Sequence, residues 1–351
     1  MALQIMTEDF DHIVNSPCIP WEKLKNSRIL VTGATGLIGS TAVKALLYAN
    51  QRLSLHTEVY CLVRNPEKAA QMFQGENAES GLHLIQQSVE TPLEQDVQFD
   101  YIIHGASPTA SAYFIEHPVE TMHTAIAGTR NMLELAVKNQ VKGFLYLSSM
   151  EAYGNVRDER VLTEKDLGSM DLSNLRNCYP ESKRVCELLT TAYAREYQIP
   201  AMSIRLAQTF GPGVSVDDKR VFAMMARCAM DQEDIVLLTK GESRHSYLYT
   251  AECVEALLCV LLNGVAGETY NAANPETYCS IYEMGEMVAK EFGGGKIGVR
   301  IAESDTSKYP APGFLNLSIE KISALGWKPT VSLREMYARM MQVMAEEKRV
   351  Q

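Results

Sequence analysis

The sequence contains no C-x-x-C pair and no grouping of histidine and cysteine at metal-ligand spacing, although eight cysteines stand at 18, 61, 178, 186, 228, 253, 259 and 279. That argues against a zinc site or a dithiol redox motif, and the thiols are expected to be reduced, as in a cytoplasmic protein. No apolar run approaches the roughly 20 residues that a membrane-spanning helix requires. Met1 to Ile13 carries acidic residues where a secretory signal has a basic segment followed by an apolar stretch. Positive charge is also in deficit, with 33 Lys and Arg against 43 Asp and Glu and a formal net charge of -10. Nucleic acid and anionic membrane surfaces are therefore not expected partners, and any anionic ligand must be held by specific basic side chains and helix termini.

What is present is an ordinary globular composition: 351 residues, 46% of them hydrophobic, enough for one large domain with an appended lobe. From Arg28 to Thr32 onward, apolar runs of strand length alternate with segments of helical period. The runs Val59 to Val63, Tyr101 to His104, Gly143 to Ser148 and Ala201 to Leu206 read as strands, and Thr121 to Lys138 and Glu181 to Glu196 as helices. This alternation predicts an α/β fold with a doubly wound parallel sheet. Residues 1–26 read as an N-terminal extension and 27–210 as the domain of the parallel sheet, to which 247–273 are expected to return. Residues 211–246 and 274–345 form a smaller α+β lobe for the substrate.

The strand Arg28 to Thr32 runs into Gly33-Ala34-Thr35-Gly36-Leu37-Ile38-Gly39, and a helical pattern follows. Glycines belong there because a pyrophosphate must approach the backbone closely at a positive helix end, and helix and strand pack tightly. Gly33, Thr35, Gly36, Leu37, Ile38 and Gly39 are the expected cradle for NAD or NADP. After the second strand, Arg64-Asn65 stands where an acidic residue would take a ribose 2'-hydroxyl, so Arg64 tilts the choice toward NADP. The alternative is that Arg64 stacks on adenine or faces solvent.

Further along, Tyr179 and Lys183 lie four residues apart, on one face of a helix, and Ser149 precedes the tyrosine by thirty residues. An ammonium beside a phenol lowers its proton affinity and makes it a usable base. With the glycine fingerprint, Ser149 and Tyr179/Lys183 in this order, the chain resembles the extended short-chain dehydrogenase/reductase family, in particular its nucleotide-sugar epimerases and dehydratases. Supporting stretches are Tyr101 to Ser107, Leu147 to Gly154, Arg205 to Pro212 and Leu325 to Pro329, and the likeness covers roughly residues 27–345.

The resemblance implies a Rossmann domain in which Tyr179 takes a sugar hydroxyl proton. Lys183 holds the nicotinamide ribose and lowers the tyrosine pKa, Ser149 bonds the reacting oxygen, and Ala106 and Ser107 line the cofactor. Glu151 falls where sugar dehydratases and a related decarboxylase carry glutamate. It is either a second base, acting at carbon 5 of a 4-keto sugar, or a residue bonded to backbone or to a basic side chain. Met150, Ala125 and Gln208 replace residues usual in the family, and Arg244 lies one position from the usual diphosphate-binding arginine, with His245 in its place. Gln208, Arg220 and Arg244 are the expected substrate contacts, with Lys219 and His245 as further phosphate candidates. A nucleotide-diphosphate sugar is the expected substrate and a homodimer the expected assembly, paired through helices bearing Met132, Leu133, Leu135, Leu188 and Leu189, many of which ordinary core packing would also explain. Two other readings stay open: an NADP-dependent reductase of a small carbonyl compound and a non-catalytic cofactor-binding scaffold.

Overall fold

The first strand, Arg28–Thr32, is buried at every position after Arg28 and pairs in parallel with Glu58–Val63 on one side and Tyr101–His104 on the other. This follows from its near-continuous apolar run, which suits a strand covered on both faces. It is the centre of a seven-stranded sheet in the computed structural model, which describes residues 2–94, 96–303 and 312–350. From edge to edge the order is Thr269–Ala272, Ala201–Leu206, Gly143–Ser149, Tyr101–His104, Arg28–Thr32, Glu58–Val63 and Leu82–Gln86. All six pairings are parallel.

Because successive side chains of a strand point to opposite faces, the sheet feeds two apolar layers. Ile29 and Val31 pack with Val43, Leu46 and Leu47 of the helix Leu37–Leu53 and with Val254, Leu257 and Leu258 of the helix Thr250–Asn263. Leu30, Ile102 and Phe144 belong to the opposite layer, with Met132, Leu133 and Ala136 of the helix Pro118–Asn139 and with Cys186 of the helix Cys178–Glu196. The latter two helices begin earlier than their apolar periodicity predicts. Pro118, with its preset φ and missing N–H, occupies the first turn of one of them.

The chain moves outward from Arg28–Thr32 through Glu58–Val63 to Leu82–Gln86, then returns to place Tyr101–His104 on the other flank. Strand order therefore reverses between Thr32 and His104, and the crevice at their carboxyl ends is where a doubly wound sheet binds its ligand.

A second, mixed sheet has the order Asn274–Ser280, Arg244–Tyr249, Phe314–Leu317 and Val161–Leu162, with Gln208–Phe210 also paired to Arg244–Tyr249. The boundary expected between residues 246 and 247 falls inside one continuous strand, Arg244–Tyr249. Val161–Leu162 and Gln208–Phe210, expected in the first domain, contribute hydrogen bonds to this second sheet, so the two units interleave. The helix Thr250–Asn263 and the strand Thr269–Ala272 do return to the first sheet. The N-terminal segment folds as the helix Ala2–Val14, fastened where the Tyr249 hydroxyl and Arg339 both donate to the buried Asp9 carboxylate at 2.8 Å. No helix among the described residues is long and apolar enough to cross a membrane.

Candidate active site

At the switch point the backbone leaves the first strand through Gly33, whose φ of +71° favours glycine. A Cβ there would lie 2.7–2.9 Å from the backbone of Gly105 and Ala106, and a Cβ on Gly39 would lie 2.2 Å from the Gly33 carbonyl. The helix Leu37–Leu53 starts at Gly36 without a side-chain cap, leaving backbone N–H donors and the positive end of the helix dipole facing the crevice. A cradle with no room for side chains, closed by an uncapped helix end, fits a dinucleotide diphosphate.

The opposite wall is held by a buried polar chain. The Thr32 hydroxyl accepts from the Gly105 and Ala106 N–H groups at 3.2 Å each, so its own proton goes to Nδ1 of His104 at 2.7 Å. His104 then donates from Nε2 to the Thr129 hydroxyl at 3.1 Å. Burial, with Lys183 adding to it, pulls the His104 imidazole down to about 3 and keeps it neutral. Thr32 and Thr129 were not legible as site residues, since their partnership exists only once strand and helix are assembled.

Arg64 is exposed just beyond the second strand, as its place in the sequence predicts. Asn65 is committed locally: its side chain accepts from Lys68 N–H at 2.9 Å and caps the helix Pro66–Met72. Ala106 and Ser107 are half-buried beside the cradle, and the Ser107 hydroxyl donates to the Pro108 carbonyl at 3.2 Å.

Tyr179, Lys183, Cys186, Glu187 and Thr190 form the buried face of the helix Cys178–Glu196, at the spacing a 3.6-residue period requires. Lys183 Nζ donates to the Leu147 carbonyl at 2.7 Å and lies 5.6 Å from the centre of the Tyr179 ring and 4.9 Å from that of Tyr146. Ser149 ends the strand Gly143–Ser149 and its hydroxyl accepts from Glu151 N–H at 3.2 Å. Ser149, Tyr179 and Lys183 thus converge from one helix and the adjacent strand.

Electrostatics depart from the expectation that Lys183 lowers the Tyr179 pKa. Burial raises the phenol well above its ordinary value, the Glu151 charge adds to the rise, and the Ser149 hydroxyl and Arg176 act against it. The reason is a cover over the ring: Phe114 stacks on Tyr179 with centroids 4.4 Å apart and planes 6° apart. Burial also pulls the Lys183 amine down to about 8, while charges at Cys186, Glu187 and Glu151 work in the opposite direction.

Glu151 is not free. Arg176, from the short turn Leu175–Asn177, grips it with Nη1–Oε2 at 2.8 Å and Nη2–Oε1 at 3.1 Å, a paired fork. The same guanidinium reaches the Ser111 hydroxyl at 3.4 Å and lies 6.0 Å from the Phe114 ring centre. Of the two roles open to Glu151, the structure contains the pairing with a basic side chain. Arg176 was missed because a loop residue twenty-five positions from its partner carries no periodic signal.

Two of the expected phosphate cations, Arg220 and Arg244, are engaged in ion pairs. Arg220 folds back on Asp218 at 2.6 Å, with its guanidinium 4.8 Å over Phe222. Arg244 pairs with Glu283 at 2.9 Å and Glu159 at 3.9 Å and lies 5.4 Å over Tyr278. His245 is pulled down to about 4 by burial, against the opposing charge of Glu151, so it is neutral at pH 7 and supplies no standing cation. Lys219 is exposed, and Gln208 is half-buried in the strand Gln208–Phe210.

The class these features define is an enzyme on a dinucleotide-binding fold. The chain belongs to the NAD dependent epimerase/dehydratase family, whose model matches residues 29–273. It is 31% identical over 312 residues to UDP-glucuronic acid decarboxylase 6 of Arabidopsis thaliana, covering 88% of this chain and 86% of that one. To UDP-glucuronic acid decarboxylase 1 of Xenopus tropicalis it is 28% identical over 310 residues, 88% of this chain and 70% of the other. The fold matches that of a UDP-glucose 4-epimerase from Thermotoga maritima solved with UDP-glucose, at a TM-score of 0.74 and 21% identity, covering 92% and 99% of the two chains. It also matches the dTDP-glucose 4,6-dehydratase DesIV of Streptomyces venezuelae solved with NAD, at a TM-score of 0.77 and 22% identity, covering 92% and 98%.

Proposed function

We propose that this enzyme decarboxylates a nucleotide-diphosphate uronic acid, UDP-glucuronic acid being the first candidate, through a transient 4-keto sugar. The cradle from Gly33 to Gly39 would hold NAD or NADP, whose nicotinamide would supply a hydride acceptor for carbon 4 and a donor for its return, so net oxidation would be nil. Tyr179 removes the proton of the 4-hydroxyl, Ser149 bonds the oxygen as it becomes a carbonyl, and Lys183 supplies a fixed positive charge beside them. In the 4-keto sugar the carboxylate on carbon 5 is β to a ketone. The bond between carbon 5 and the carboxyl carbon breaks, its electron pair passes into an enolate at carbon 4, and carbon 5 takes a proton.

The observation that carries the branch is the Arg176–Glu151 fork. Epimerisation or elimination at carbon 5 needs a free base to remove its hydrogen; decarboxylation removes the carboxyl group and needs none. With both Glu151 oxygens already engaged by Arg176 the carboxylate is not free to meet a sugar hydrogen, and the same guanidinium offers a sugar carboxylate an opposite charge close to Tyr179. The two plant and animal decarboxylases above, each matched over 88% of this chain, support the same branch.

Three finer points belong to this reading. Arg64 favours NADP over NAD, since an exposed guanidinium at the end of the second strand suits a 2'-phosphate. The enzyme forms a homodimer through the helices Pro118–Asn139 and Cys178–Glu196: Met132, Leu133 and Leu135 are consumed by the core, but Leu188 is 70% exposed, with Met122 and Val185 also uncovered. Eight unpaired cysteines support a reducing, cytoplasmic compartment.

Release of carbon dioxide from carboxyl-labelled UDP-glucuronic acid, with NAD or NADP present, tests the reading. Release dependent on cofactor supports it, and consumption of the sugar with the label retained contradicts it.

A further inference from the structure

Behind the catalytic residues lies a second, fully buried charge system. Arg205, on the strand Ala201–Leu206, and Glu187, on the helix Cys178–Glu196, are 4% and 7% exposed. Arg205 Nη2 meets Glu187 Oε2 at 2.7 Å, and its Nε reaches both carboxylate oxygens at 3.0 and 3.2 Å. The Ser148 hydroxyl donates to Glu187 Oε1. Arg205 is itself oriented by the Glu164 carbonyl at 3.0 Å and by the Tyr153 ring, 4.7 Å from the guanidinium carbon.

Two charges withdrawn from water at this depth contribute little stability relative to an apolar pair, so their retention calls for another account. Their placement supplies one. Glu187 follows Lys183 by one helical turn on the same face. Ser148 sits between Leu147, whose carbonyl holds Lys183, and Ser149, which bonds the reacting oxygen in the reading above.

We propose that Glu187 is a positioning residue for the catalytic set: clamped by Arg205 and Ser148, it fixes the rotation of the Tyr179/Lys183 helix against the Ser149 strand and balances the Arg205 guanidinium one turn from Lys183. This rests on the Ser149/Tyr179/Lys183 reading of the site. The groups that face Lys183 are Tyr179, Cys186 and Glu187 on its own helix, Tyr146 and His104 on two strands, and Glu151 beyond the strand end. His104 is neutral, and Glu151 and Glu187 are each paired with an arginine, Arg176 and Arg205, so Glu187 bears on Lys183 by balancing the Arg205 charge behind it. With Glu187 made neutral, the Arg205 guanidinium stands uncompensated and Lys183 loses its proton at lower pH.

The experiment compares Glu187→Gln and Glu187→Asp with the native enzyme, measuring kcat and KM against pH and, separately, NAD affinity against pH. The expected result for Glu187→Gln is a fall in kcat of about tenfold with KM little changed. The alkaline midpoint of both kcat and NAD affinity should move down by about one pH unit. Glu187→Asp keeps the charge and restores the midpoint, though the shorter arm leaves kcat reduced. Equal midpoints for all three proteins, or equal displacement by Asp and Gln, would overturn the proposal by reducing Glu187 to a packing role. If Glu187→Gln does not fold, Ser148→Ala decides: it frees one side of the carboxylate, and an unchanged kcat would overturn the positioning claim. The NAD titration needs no sugar, so a failure of the sugar reading leaves this outcome legible.

Discussion

Phe114 lies flat against Tyr179 and helps to bury the proposed base. The two rings stack at 4.4 Å with Phe114 1% exposed, so water is kept from the phenol and the neutral form is favoured. Phe114→Ala should admit water and lower the Tyr179 pKa. The sign follows: the base is the phenolate, so the acidic limb of the kcat profile moves to lower pH. Stability should fall by about 3 kcal/mol, as for other buried Phe→Ala changes. A pH profile together with a denaturant titration checks both halves.

Tyr179→Phe removes the proposed proton acceptor and keeps the ring under Phe114. Turnover should drop about 10³-fold while NAD affinity and melting temperature stay close to native. Stopped-flow assay and cofactor titration separate the two effects; full activity would take the phenol out of the mechanism.

Arg176→Gln breaks the fork on Glu151 and removes the cation proposed to meet the sugar carboxylate. KM for UDP-glucuronic acid should rise about tenfold or more, in keeping with the loss of charge-assisted hydrogen bonds. NAD affinity should not change. A KM that holds steady assigns the sugar carboxylate to another group.

Much of this was readable from residue order. The buried strands announced themselves as apolar runs, and Lys183 four places after Tyr179 already implied a shared helical face. The glycine cradle was equally plain, because Gly33 and Gly39 occupy positions where the fold tolerates no Cβ. Arg176 and Phe114 were not readable: one lies in a three-residue turn and the other in the six-residue helix Ser111–Glu116, and they meet only through the tertiary fold. The second sheet was obscured for a similar reason. Val161–Leu162 is too short to show a period, and Arg244–Tyr249 begins with Arg-His-Ser, which reads as polar loop. Glu187 could have been found, since it repeats the four-residue step from Lys183.

Arg64→Ala should weaken NADP binding about tenfold and NAD binding hardly at all, the loss of an arginine–phosphate pair being specific to the phosphorylated cofactor. Fluorescence titration with both cofactors gives the ratio. Equal losses would place Arg64 against the adenine that the two cofactors share.

The most direct measurement is the product mass and proton spectrum after incubating the enzyme with cofactor and UDP-glucuronic acid in deuterium oxide. The account predicts a nucleotide sugar lacking the carboxyl group, with one solvent deuterium on carbon 5 and no net change in cofactor. A uronic acid that keeps its carboxyl group and exchanges the hydrogen on carbon 5 would make Glu151 a free base and contradict the reading of its pairing with Arg176.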